Sequence, residues 1–296
     1  MVSALRNGIS FSPAGLLTPY HIGVSSVLLQ EGIITPSTVL AGASGGALAA
    51  VCASLSNHLP SETVLESCCL VAQRCRDAGQ TFRTLRLALD EVLQDTLPPE
   101  SASLIQSRNG KVIIAYQEIY PKYQKHYQTT YTDKDDLINA LRASCCIPFY
   151  FSGNLAIKVS SRDSYAIDGF FSVQRARFGC PPTAMERQGG EVIVTPFDPE
   201  LVGLNPYDVS VYPARDDDDD DGDSNGGVID IISPRLLMDQ GKREAWDYDL
   251  QKLFSLALQP PQGLEGEFLD NSGIEAVYRK LYNAGVESAG VYVSRR

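Results

Sequence analysis

The eight residues Leu40-Ala41-Gly42-Ala43-Ser44-Gly45-Gly46-Ala47 leave the backbone few choices. A β-branched run, Ser37-Thr38-Val39-Leu40, leads in, and small and apolar residues at helical spacing lead out from Ala47 to Leu55. Between a strand and a helix, Gly42-x-Ser44-x-Gly46 has the form of a turn so tight that a Cβ at either glycine would collide with the neighbouring strand or helix. Such a nucleophile elbow lifts one serine hydroxyl above the edge of a sheet. The helix starting at Gly45 turns its free N–H groups and positive dipole end toward any anion formed near Ser44. An ordinary Gly-rich turn capped by serine spells the same letters, so the flanking strand and helix carry the argument.

The elements around the elbow predict an α/β fold with a largely parallel sheet flanked by helices. Gly8-Ile9-Ser10-Phe11 reads as a buried strand. Thr18-Pro19 opens a helix, with Thr18 as N-cap and Pro19 at the first helical position, and Gly32 closes it. Helical spacing continues from Ser61 to Leu97 and stops at Pro98-Pro99. Lys111 to Tyr120 and Lys125 to Tyr131 read as an antiparallel strand pair joined around Pro121. Thr132-Asp133-Lys134-Asp135 has the form of a capping box and starts a helix that ends before Pro148. Tyr165-Ala166-Ile167 is a short strand ending at Asp168-Gly169, and Glu191 to Thr195 is another. Leu236 to Leu258 and Ile274 to Ala284 read as amphipathic helices separated by Pro-Pro-Gln-Gly.

A serine nucleophile needs a base. The chain has three histidines, His21, His58 and His126, and none follows an acid late in the sequence, as a histidine triad of the hydrolase order requires. His58 sits at the end of the elbow helix remote from the serine. The remaining solution is a Ser–Asp dyad, with Asp168 the best placed acid. A carboxylate at the carboxyl end of a strand in a parallel sheet faces the same edge as the elbow, and Gly169 permits close approach. Burial that raised its pKa would suit it as a base. Asp-Gly is also a common turn, and the pair alone does not separate the two readings.

Ile9-Ser10-Phe11, the loop at Gly15, the elbow Gly42-Ala43-Ser44-Gly45-Gly46-Ala47, the stretch Ala143-Ser144-Cys145-Cys146-Ile147-Pro148 and Asp168-Gly169 stand in the order found in patatin-like phospholipases. The chain resembles that family over nearly its whole length, and Leu250 to Val293 is similar to the continuation in its adipose triglyceride lipase subgroup. The resemblance implies a three-layer α/β fold, a Ser–Asp dyad without metal or organic cofactor, and hydrolysis of fatty acyl esters in phospholipids or glycerides. It assigns Ser44 as nucleophile and Asp168 as base. The family's glycine-rich oxyanion loop corresponds here to Pro13-Ala14-Gly15, with Thr18 where another glycine is expected. Pro13 has no N–H, which leaves Ala14 and Gly15 as oxyanion donors. Loss of one such donor costs on the order of 10² to 10³ in rate. Three readings therefore stand together: an acyl hydrolase, an acyltransferase in which an alcohol replaces water, and a catalytically weak lipid- or partner-binding protein. Phe170-Phe171 after the dyad motif reads as acyl-pocket lining or core.

Composition sets the remaining bounds. The formal charge is −11, but without the seven carboxylates of Asp216–Asp221 and Asp223 it would be −4. The run inside 213–227 reads as a disordered, self-repelling loop, and the glutamate that an EF-hand requires is missing, so no metal site is expected. No basic stripe interleaved with aromatics favours nucleic acid. Seven cysteines, with Cys68-Cys69 and Cys145-Cys146 adjacent in apolar surroundings, fit reduced packing residues of an intracellular protein. No apolar run reaches a membrane span, and residues 1–11 lack the apolar region of a signal peptide. The expectation is one domain over 1–296 with a C-terminal helical segment 234–296, in peripheral contact with a membrane or lipid droplet. Removal of a targeting segment is left open.

Overall fold

A computed structural model of the chain describes residues 8–159, 162–183, 190–205, 229–242, 246, 248–261 and 271–296. Among them stand eight strands: β1 (Gly8–Phe11), β2 (Val39–Ala43), β3 (Val112–Tyr120), β4 (Gln124–Gln128), β5 (Ile157–Val159), β6 (Ser164–Ile167), β7 (Glu191–Val194) and β8 (Ile229–Ile232). Parallel pairing joins β3, β2, β1, β7 and β8 in that order. β1 and β7 are buried at every position, as strands covered by helices on both faces must be.

The helices before β3 are α1 (Thr18–Gln30), α2 (Gly45–Ser54), α3 (Ser61–Asp77), α4 (Leu85–Thr96) and α5 (Ser101–Gln106). After β4 come α6 (Lys134–Ser144), α7 (Pro199–Val202), α8 (Arg235–Asp239), α9 (Leu250–Leu258) and α10 (Asn271–Ser294). The result is a mostly parallel sheet flanked by helices, the patatin-like α/β arrangement that the sequence predicts. The last helix is bound tightly into it: a Cβ at Gly23 of α1 would lie 2.0 Å from the Tyr282 carbonyl oxygen, and one at Gly285 of α10 would lie 2.2 Å from that of Tyr20.

Three local expectations are corrected. Thr18 is not an N-cap: a 3-10 turn over Gly15–Leu17 runs directly into α1, and the Thr18 hydroxyl donates to the Gly15 carbonyl at 2.8 Å. The cap of α6 is Asp133, one residue later than the box predicts; its carboxylate accepts from Asp136 N–H at 2.8 Å, and Asp136 reaches back to Thr132 N–H. Leu236 to Leu258 is not continuous, because α8 ends before Gly241, whose φ of +75° no helix contains. The segment 213–227 and its Asp run lie outside the described residues.

The sheet departs from the expectation in one respect that decides the site. Asp168 does not end a strand parallel to β2. β6 is antiparallel to β3, pairing Ile167 with Gln117, while β2 is parallel to β3, pairing Ala43 with Ala115. β4 pairs with both stretches of β3 and so occupies its other side. β2 and β6 therefore lie on the same side of β3, end to end, with their carboxyl ends pointing at each other.

Candidate active site

The elbow is built as the sequence requires. Ser44 takes φ +53° and ψ −129°, a conformation that L residues rarely adopt and that a tight strand-to-helix turn imposes. A Cβ at Gly42 would lie 2.1 Å from the Gly46 carbonyl oxygen, and one at Gly46 would lie 2.3 Å from that of Phe11. Although Ser44 is the N-cap of α2, its hydroxyl makes no capping bond and stays available. Its own N–H donates to Ser144 Oγ at 2.9 Å, and Ser144 in turn donates to the Ala115 carbonyl at 2.7 Å. The end of α6 thus clamps the elbow to β3.

Asp168 faces this turn from the head of β6. The partners of Ala43 and Ile167 on β3 are two residues apart, roughly 7 Å along the strand. Gly169 makes the approach possible: a Cβ there would sit 2.2 Å from the Ala115 carbonyl oxygen and 2.8 Å from Ala43 Cβ. The pair is therefore packed against both β2 and β3. Asp168 N–H donates to the Cys146 carbonyl at 2.8 Å, and Oδ1 accepts from Phe170 N–H at 2.8 Å. Oδ2 accepts no conventional hydrogen bond among the described residues; the Ser44 hydroxyl lies near enough to act on the carboxyl without closing one. The side chain is 2% exposed, and burial pushes its pKa up to about 7 against the smaller lowering by Phe170 N–H and Ser44.

The loop before α1 arranges its peptides by fixing their carbonyls. Ser12 O accepts from His21 Nε2 at 2.9 Å, Pro13 O from Ser12 Oγ at 3.1 Å, Ala14 O from Leu17 N–H at 2.9 Å and Gly15 O from Thr18 Oγ1 at 2.8 Å. In a planar peptide the N–H points opposite to the C=O, so the Ala14 and Gly15 amides are aimed away from these partners. The Gly15 nitrogen would lie 2.9 Å from a Cβ on Gly45, which sets this loop directly against the elbow. His21 is fully buried and burial lowers its pKa to about 4, so the ring is neutral and serves as a strut. His126 lies in β4 against the Tyr116 ring, and His58 is exposed beyond the far end of α2.

Cys145 is a thiol beside Ser44, but burial and the Asp168 charge hold it protonated, which removes it as a rival nucleophile. All seven cysteines are free. Phe170 and Phe171 are not core, and neither is among the residues lining the cavity beside Ser44: they are 38% and 45% exposed and pack edge-on to each other. Phe170 continues through Phe178 and Phe197 to Phe254 of α9, an aromatic ridge beside the site. Next to Ser44 opens a narrow, largely apolar cavity of about 100 Å³. Among the described residues no cluster of side chains could hold a metal ion, and no helix is long and apolar enough to cross a membrane.

The bonding roles of Ser12, Thr18, His21 and Ser144 are not legible in the sequence. Each acts through a carbonyl or amide that only the folded chain brings within reach. Ser144→Ala tests the clamp: with Ser44 N–H left without its acceptor, stability is expected to fall by about 1–3 kcal/mol, read by denaturant titration.

The family model for patatin-like phospholipases matches residues 9–173, more than half of the chain. Patatin-like phospholipase domain-containing protein 5 of Homo sapiens is 26% identical over 223 residues, 70% of this chain and 47% of that protein. Domain-containing protein 4 of the same family, also human, is 27% identical over 152 residues, 48% of this chain and 56% of its own length. A human 1-acylglycerol-3-phosphate O-acyltransferase is 29% identical over 148 residues, 48% of this chain and 30% of that protein. The chain thus spans about half the length of the first two relatives and less of the third. The crystal structure of VipD from Legionella pneumophila aligns at a TM-score of 0.32 and 12% identity, covering 66% of this chain and 51% of that one, too loose an overlap to carry any argument. The matched stretch begins in β1, passes through the elbow and the end of α6 and closes just beyond Asp168, and on that extent the chain belongs to the patatin-like phospholipase family.

Proposed function

We propose that this protein is a serine acyl hydrolase that cleaves fatty acyl esters of lipids through a Ser44–Asp168 dyad. The observation that carries the reading is the end-to-end meeting of β2 and β6, which sets an uncapped serine hydroxyl against a buried carboxyl whose pKa of about 7 suits a general base. Ser44 Oγ attacks the ester carbonyl as Asp168 takes its proton. The Ala14 and Gly15 amides hold the oxyanion, aided by the N-terminus of α2. Asp168 returns the proton to the departing alcohol, and water, deprotonated by the same carboxyl, releases the fatty acid. The fixed carbonyls of residues 12–15 support two working donors although Pro13 has none. The exposed rings of Phe170, Phe171 and Phe254 support approach to a lipid surface, a membrane or a droplet. The packing of α10 on α1 supports reading 1–296 as one domain.

The test is covalent capture. A fluorophosphonate is expected to form one adduct, on Ser44, and a dispersed acylglycerol or phospholipid is expected to release free fatty acid. A wild-type protein that takes no label and releases no acid is instead the inactive lipid- or partner-binding protein. The name carried by the third relative favours a second reading, acyl transfer, in which an alcohol replaces water. Incubation with a lipid ester and 1-acylglycerol-3-phosphate separates the two by whether free acid or a diacyl product accumulates.

A further inference from the structure

The cavity beside Ser44 has a direction. Its lining includes Gly45, Leu48 and Cys52, one stripe along α2, so it follows that helix away from the nucleophile. α3 and α4 form the facing wall as an antiparallel pair, tied at Ser67 and Thr96 by a 3.0 Å hydroxyl contact. Leu59, Val64 and Leu97 form the end remote from Ser44, and each is buried to within 5% of complete. Among the described residues no charged side chain lines the cavity.

We propose that this cavity is the binding site for a single fatty acyl chain, that the chain lies along α2, and that Cys52, Leu59, Val64 and Leu97 set the longest chain it admits. The proposal rests on the acyl hydrolase reading and extends it to the substrate's acyl length. Helix rise from Gly45 to Cys52 gives about 10 Å, and the end wall beyond brings the depth to on the order of 15 Å. An extended chain covers that distance in roughly a dozen bonds. Apolar walls without charge admit hydrocarbon and reject a phosphate or a choline, so the headgroup stays at the mouth, on the side of the aromatic ridge. Each methylene moved from water into the cavity is worth about fourfold in binding until the space is full. Selectivity should therefore climb with chain length and then stop.

The experiment compares monomeric p-nitrophenyl butanoate, octanoate, dodecanoate and hexadecanoate. For the wild type, kcat/KM is expected to rise to dodecanoate and to fall or level off at hexadecanoate. Cys52→Phe, which places a ring across the middle of the cavity, should lower the dodecanoate-to-butanoate ratio at least tenfold. Val64→Ala, which recedes the end wall, should raise the hexadecanoate-to-dodecanoate ratio at least threefold. A Cys52→Phe protein whose ratio stays within twofold of wild type, while Ser44 still takes fluorophosphonate, overturns the proposal. Binding gives a readout that needs no catalysis: dodecanoic acid should raise the Tm of Ser44→Ala, and the Cys52→Phe/Ser44→Ala protein should lose that rise. If no ester turns over and no label attaches, the hydrolase reading fails, and the acid-induced Tm shift alone still decides where the chain lies.

Discussion

Asp168→Asn is expected to cut turnover by orders of magnitude and at the same time to make the protein more stable at pH 8. The amide keeps an oxygen for Phe170 N–H, so the turn after β6 survives, but it cannot take the Ser44 proton. A general base of this kind is worth about 10² to 10⁴ in rate, and kcat should fall by that factor. The stability gain follows from linkage. Burial raises the folded pKa from 3.8 to about 7, so the carboxyl's contribution is intact below about pH 4 and is lost as pH rises through 7. Above that pH the wild type carries an unfavourable buried charge on the order of 4 kcal/mol that the asparagine variant lacks. Denaturant titrations at pH 3.5 and pH 8 check this: the two proteins should nearly coincide at the lower pH and separate at the higher. The same pKa gives a rate prediction, since kcat/KM of the wild type should rise with pH through about 7 as Asp168 deprotonates. An asparagine variant less stable than wild type at pH 8 would show that the carboxylate is a structural anchor.

Replacement of Ser44 separates chemistry from strain. Both Ser44→Ala and Ser44→Gly should lose fluorophosphonate labelling entirely and esterase activity by on the order of 10⁴-fold or more. Their stabilities should differ in an unusual order. In an ordinary helix or strand alanine is more stable than glycine by roughly 0.5–1 kcal/mol. At φ +53° the Cβ is the liability, and relief of about 1–3 kcal/mol favours glycine. Ser44→Gly is therefore expected to melt above Ser44→Ala. An alanine variant that melts higher would place the strain outside this residue.

Some of this architecture is visible in one dimension because it is imposed locally. Gly42 is required by its contact with Gly46 inside the elbow, whereas Gly46 is required by Phe11 at the end of the neighbouring strand; β1, β2 and β7 announce themselves as short apolar runs that both faces of a covered sheet demand. Asp168 is identifiable as an acid at a strand end, but its strand runs antiparallel to β3 and not parallel as the sequence predicts. Local pattern carries no information on whether β6 runs with β3 or against it. Thr18 shows the same limit in miniature: threonine before proline reads as a cap, yet its hydroxyl goes to Gly15 O because the 3-10 turn brings that carbonyl underneath it. Ser144 and His21 belong to the same class. Each bonds to a backbone group whose position is set by other elements, 100 residues away for Ser144.

The head-on junction of β2 and β6 makes β3 a gauge block. The gap between Ser44 and Asp168 follows the two-residue interval from Ala115 to Gln117, held by ladder hydrogen bonds. One residue inserted in that interval would widen the gap by about 3.3 Å and turn every later side chain to the opposite face. Loops around the cavity mouth can vary in length and sequence without disturbing this interval. The spacing of Ser44 and Asp168 is thus insulated from changes at the cavity mouth.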